Sequence, residues 1–124
     1  MKYLCLVYLD EGRLAELPDE DCVAYDAAIR KSGHCIASEA LESVQTATTV
    51  RERDCKVTVT DGPFAETKEQ LAGFYMIDAR DLDEAIRVAS GIPPARVGSI
   101  EVRPIRPIRE TVAARQDQTT AEES

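Results

Sequence analysis

The residues best equipped for chemistry are Asp61 and His34, and the strongest local signal is the run Thr60-Asp61-Gly62-Pro63-Phe64. A short carboxylate, a permissive glycine, a φ-locked proline and an aromatic close an alternating strand there, which makes a stiff turn. Asp61 has two possible uses in such a turn. It can accept hydrogen bonds from the N–H groups of its own turn, or the strand end can present it to a cleft with Phe64 as the apolar wall. In a cleft it could act as a general base, with His34 or a tyrosine as the complementary acid. Thr58, Thr60, Asp61, Gly62, Pro63 and Phe64 form the candidate ligand-binding set. His34, the one histidine, follows Gly33 where a helix hands over to a strand, close to helix C-terminal carbonyls that favour its cation. Glu66, Lys68 and Glu69 read as a solvated face. Tyr8, Tyr25 and Tyr75 read as core aromatics unless a hydroxyl reaches a cavity beside Asp61.

Other chemistries find no support in the residues. No GxGxxG or GxxxxGK[ST] loop is present, so no nucleotide cofactor is expected, and no GxSxG elbow occurs. Cys5, Cys22, Cys35 and Cys55 are widely spaced, contain no CxxC pair and have only His34 to complete a metal set; free thiols are expected, with no metal and no cofactor. With 15 basic against 23 acidic residues, the 124-residue chain carries a net charge of −8. Such a field repels phosphates, so no direct nucleic-acid partner is expected. No apolar run approaches the roughly 20 residues of a membrane span, and the amino end reads as too short before its acids for a secretory signal. The expected location is the cytoplasm.

Several elements must position these residues. KYLCLVYL (2–9) reads as a strand apolar on both faces, with Tyr3, Cys5, Val7 and Leu9 on one and Leu4, Leu6 and Tyr8 on the other. The segment after Pro18 has acids first, Arg30 and Lys31 last and Gly33 beyond, which predicts a helix with Cys22, Tyr25, Ile29 and Ser32 inward. HCIASEALES reads as β-like, and TATTVRERDCKVTVT as a hairpin turning at Arg53-Asp54, with Cys55, Val57 and Val59 on a core face. LAGFYMIDA repeats the two-faced pattern, with Leu71, Tyr75 and Ile77 opposite Phe74 and Met76. Asp81 and Glu84 form a capping box for a helix ending near Gly91 and Pro93, and GSIEVRPI reads as an edge strand. The expected domain is 1–108, followed by a mobile acidic tail at 109–124.

Strand, helix, strand, hairpin, strand, helix, strand is the order of a ferredoxin-like split βαβ domain in the α+β class, with both helices on one face of an antiparallel sheet. The uncovered apolar face then calls for a second copy of the chain, and a homodimer is expected.

TDGPFAETKEQLAGFY, ARDLDEAIRVAS and SIEVRPI, with MKYLCLVY at the start, resemble the YCII-related proteins, in the subgroup named for its DGPF motif. The resemblance implies a dimeric α+β barrel of ferredoxin-like halves. The wider group includes a dehydrochlorinase-type enzyme and is similar in fold to muconolactone isomerases, with a His and Asp pair proposed as acid and base. This chain departs from that pattern: its first helix has no histidine, and Cys22 falls near the position. The DGPF subgroup resembles proteins often encoded beside extracytoplasmic-function sigma factors, which implies an accessory or regulatory part. Two readings follow. One is a non-catalytic homodimer binding a small molecule or a partner; the alternative is a cofactor-free isomerase or lyase in which Asp61 abstracts a proton.

Overall fold

Along β1 (Lys2–Leu9) Tyr3, Cys5, Val7 and Leu9 are buried while Leu4, Leu6 and Tyr8 are half-buried, the period-two signature of a central strand with one face fully covered. The structure, a computed structural model, describes the backbone of residues 1–123 and the side chains of residues 1–117. After β1 come α1 (Asp19–Lys31), β2 (Cys35–Ala40), β3 (Thr48–Arg53), β4 (Lys56–Asp61), β5 (Gln70–Asp78), α2 (Leu82–Ser90), β6 (Ser99–Pro104) and α3 (Ile108–Glu123). The main sheet has the order β2-β5-β1-β6, with every neighbouring pair antiparallel. Each βαβ unit is therefore split by a strand of the other, the α+β arrangement expected from the element order.

The helices begin and end where the sequence requires. Asp19, Glu20 and Asp21 open α1, and Arg30 and Lys31 close it, both favourable to the macrodipole. Gly33, at φ +84°, then lets the His34 N–H reach Ile29 O at 3.0 Å and its own N–H reach Arg30 O at 3.1 Å. That is a left-handed Schellman stop. Asp81 caps α2 by accepting from the Glu84 N–H at 2.9 Å. Ile29 of α1 and Ala85, Val88 and Ala89 of α2 join Tyr3, Cys5, Val7, Leu9 and Ile77 in a single core, so both helices cover the same sheet face.

Four details depart from the sequence expectations. Ser32, expected inward on α1, is exposed at its C-cap, one residue past the last helical turn. A bulge between Val7 and Tyr8 makes Leu71 the partner of Tyr8, so Leu71 joins Leu4, Leu6, Phe74 and Met76 on the open face instead of sharing the core face with Tyr75 and Ile77; one extra residue in a strand flips every side chain beyond it. The hairpin turns at Asp54-Cys55, both at positive φ (52° and 62°), because a two-residue hairpin needs left-handed backbone at both central positions. Its valines are not core: Val50, Val57 and Val59 are 63–65% exposed, and β3 and β4 form a separate two-stranded sheet. Of residues 109–124, set apart from the sequence as a tail, 109–123 continue from Ile108 in α3, and the described side chains among them are exposed; residue 124 lies outside the described ones.

Among the described residues no helix is long and apolar enough to cross a membrane.

Candidate functional site

The DGPF segment walls one cleft. Beyond β4 the chain turns on Gly62, at φ +106°, whose N–H donates to Ala47 O at 2.7 Å and whose carbonyl accepts from Thr49 Oγ1 at 2.8 Å. Arg51 Nη2 donates to Phe64 O at 3.3 Å. These bonds swing Pro63 and Phe64 toward the end of the open sheet face, where a cleft of about 470 Å³ lies against Tyr8, Leu41, Val44 and Leu71. That is within the size range of small-molecule sites. Its lining includes the Thr48 side chain, the hydroxyl oxygens of Ser43, Thr46 and Thr49, which donate within the chain and keep lone pairs to accept, and one carboxylate, Glu42. Phe64 is 78% exposed, an aromatic wall with one side bare.

The predicted set divides. Pro63 and Phe64 line the cleft; Gly62 builds the turn. Asp61 is exposed at the end of β4, and among the described residues no hydrogen bond engages its carboxylate. It accepts no hydrogen bond from its own turn, and none from a tyrosine or histidine. Asp61 pairs with Thr48, and Thr60 with Thr49, so Thr58 and Thr60 lie on the opposite strand face from Asp61. His34 stands elsewhere: its carbonyl accepts from the Asp78 N–H at 2.8 Å, at the far end of the nine-residue β5, more than about 20 Å of strand from the DGPF cleft. Its ring meets Ser32 Oγ at Nδ1 (2.7 Å) and Glu84 Oε1 at Nε2 (3.3 Å). Within one chain the structure does not bring Asp61 and His34 together.

Sequence reasoning missed Leu41, Val44 and, above all, Glu11. The Glu11 carboxylate accepts from the Val44 N–H at 2.6 Å and from Ser43 Oγ at 2.9 Å, holding the short 3-10 turn Val44–Thr46 that forms the floor. Its only sequence signal was membership of the polar turn after β1.

A second cleft, about 330 Å³, lies between α1 and the covered sheet face, lined by Leu17, Cys22, Asp26, Ser38 and Tyr75 among others. Asp26 accepts from the Ser38 hydroxyl and from Arg30 Nε at 2.8 Å. The Ser38 hydrogen bond, helped by Arg30, holds its carboxyl below the ordinary carboxylate range. Burial pushes the Tyr75 phenol up from its ordinary 10.0 to about 12, and burial first, then Asp19 and Asp21, raises the Cys22 thiol. Each of these shifts moves its group away from neutrality, so Asp26 is a poor base, Tyr75 a poor acid and Cys22 a poor nucleophile at pH 7.

The buried groups set an alkaline limit. Cys5, raised by burial from 9.0 to about 11, and Tyr75 both have folded values above their unfolded ones. Their contribution is complete below the unfolded values and is lost as pH rises through the folded ones, that is, from about 9 to about 12. Urea midpoints should be level between pH 7 and 8.5 and fall steadily above it. Tyr75→Phe should flatten the upper part of that fall.

The model of the YCII-related domain matches residues 1–109. The chain belongs to the YCII-related family. This YCII-related chain is also 38% identical over 114 residues to an uncharacterized protein of Rhizobium meliloti (strain 1021), covering 85% of this chain and 92% of the relative. The family match takes in both clefts and stops at the start of α3.

Proposed function

We propose that this YCII-related protein is a non-catalytic accessory protein of the cytoplasm, a homodimer of the DGPF subgroup that binds a small, largely apolar molecule in the cleft walled by Pro63 and Phe64. The observation that carries the reading is the composition of that cleft. It offers apolar walls and hydroxyls that can orient a ligand, while Asp61 lies outside it and His34 stands at the opposite end of the sheet. The second cleft holds titratable groups, but their shifts run against proton transfer at neutral pH.

The open sheet face supports the dimer. Leu4, Leu6, Phe74 and Met76 stay half-buried and Leu71 is 40% exposed, a contiguous apolar patch of the kind that marks an interface. Two such faces laid together would make the barrel expected of the family. A sigma-factor-linked regulatory role suits a protein that binds without turnover.

The test is a metabolite screen read by thermal shift. A binder should stabilise the wild type, and Phe64→Ala should weaken it by roughly four- to ten-fold, since fully burying a Phe side chain is worth roughly 1.5–3 kcal/mol, covering one face about half of that, and 1.4 kcal/mol is a factor of ten. Asp61→Asn should bind within about two-fold of the wild type. Equal binding by Phe64→Ala would move the site away from the DGPF loop.

A further inference from the structure

The β3–β4 hairpin stands apart from the rest of the molecule. Its ladder pairs only its own two strands, and a lone two-stranded hairpin is marginally stable in water. Yet Val50 pairs with Val59 and Glu52 with Val57, which gathers three valines on one face, all of them more than 60% exposed. Such a face needs a cover, and among the described residues nothing in its own chain buries it.

We propose that this hairpin is an exchanged arm: in the dimer, each copy lays Val50, Val57 and Val59 against the open sheet face of the other, beside Leu4 and Leu6, and so closes the side of the barrel. The inference rests on the dimer proposed above and assigns the surface that locks it. Three observations favour a second copy as the occupant. The complementary apolar face belongs to the same chain. Each arm strand has six residues, about 20 Å, while four strands span about 14 Å between their outer axes, so the arm is long enough to close the gap along the side of two facing sheets. Residues 48–61 carry three basic and three acidic side chains and are thus neutral in a chain of net charge −8. They form a surface where an equally acidic copy meets least repulsion.

The test replaces all three valines by threonine, which is β-branched and keeps the ladder, and compares sedimentation of the two full chains. The expected result is a dimeric wild type and a dissociation constant raised at least ten-fold in the triple variant, with unchanged circular dichroism. Exposed Cys55 at the arm tip provides a second measurement that does not depend on that variant. In a Cys22→Ser/Cys35→Ser background carrying Glu101→Cys on the open face opposite Leu6, a short bis-maleimide should join the arm tip of one copy to the sheet of the other. A wild-type dimer with neither effect overturns the exchanged arm and leaves the dimer standing. A wild type that sediments as a monomer overturns the dimer on which the arm depends.

Discussion

Leu6→Asp is expected to yield a folded monomer at concentrations where the wild type sediments as a dimer. Leu6 sits mid-strand in β1, its backbone paired with Phe74 on one side and Glu101 on the other, at the centre of the open face. In a single chain it is only half-buried, so an aspartate there can stay hydrated and the core beneath, made by Cys5 and Val7, is untouched. In the dimer the same carboxylate would be stripped of water without a partner, a penalty of several kcal/mol. At 1.4 kcal/mol per factor of ten, dissociation should strengthen by about a thousand-fold or more. Circular dichroism matching the wild type, with a halved sedimenting mass, is the predicted pair of results. A variant that remains dimeric would place the interface elsewhere.

Gly98→Ala should destabilise the fold more than any other glycine-to-alanine change in the chain. A Cβ at Gly98 would lie 2.1 Å from the Tyr8 carbonyl oxygen and 2.9 Å from Leu9 Cβ. The first obstacle is backbone of the central strand, which cannot step aside without breaking the β1–β6 register. Overpacking usually costs 1–3 kcal/mol, and a contact this short with main chain belongs at about 3 kcal/mol or above, or a fall of at least about 10 °C in Tm for a domain of this size. Gly33→Ala separates the clash from conformational strain. It meets nothing within 4 Å and should lose only the left-handed penalty of about 1–2 kcal/mol. Equal losses at the two positions would show that the contact at Gly98 is relieved by movement of the chain.

The elements legible in the sequence were those with strong periodicity or clear end signals. Alternation in KYLCLVYL, the charges of α1 with Gly33, and the Asp81 cap each acted locally, and each element formed where its residues required. The bulge that turns Leu71 over was not legible, because its cause is the register against Tyr8 and no residue type announces it. Val57 and Val59 of β4 read as core since burial is what alternating valines usually mean. Their exposure is a property of the arm's placement, which no local pattern encodes. In the site, Pro63 and Phe64 stood out by type, whereas Tyr8, Leu41, Val44 and Leu71 are ordinary apolar residues that the fold alone gathers. Asp61 and His34 were paired for their chemistry, and the length of β5 keeps them apart.

The most direct test is native mass spectrometry of the full chain after incubation with a metabolite library, run in parallel on wild type, Phe64→Ala and Asp61→Asn. The account predicts that wild type and Asp61→Asn hold a small apolar molecule of unchanged mass on a dimer, and that Phe64→Ala holds less of it. A compound that the wild type releases chemically altered, and that Asp61→Asn leaves intact, would contradict a binding role and make Asp61 a catalytic base.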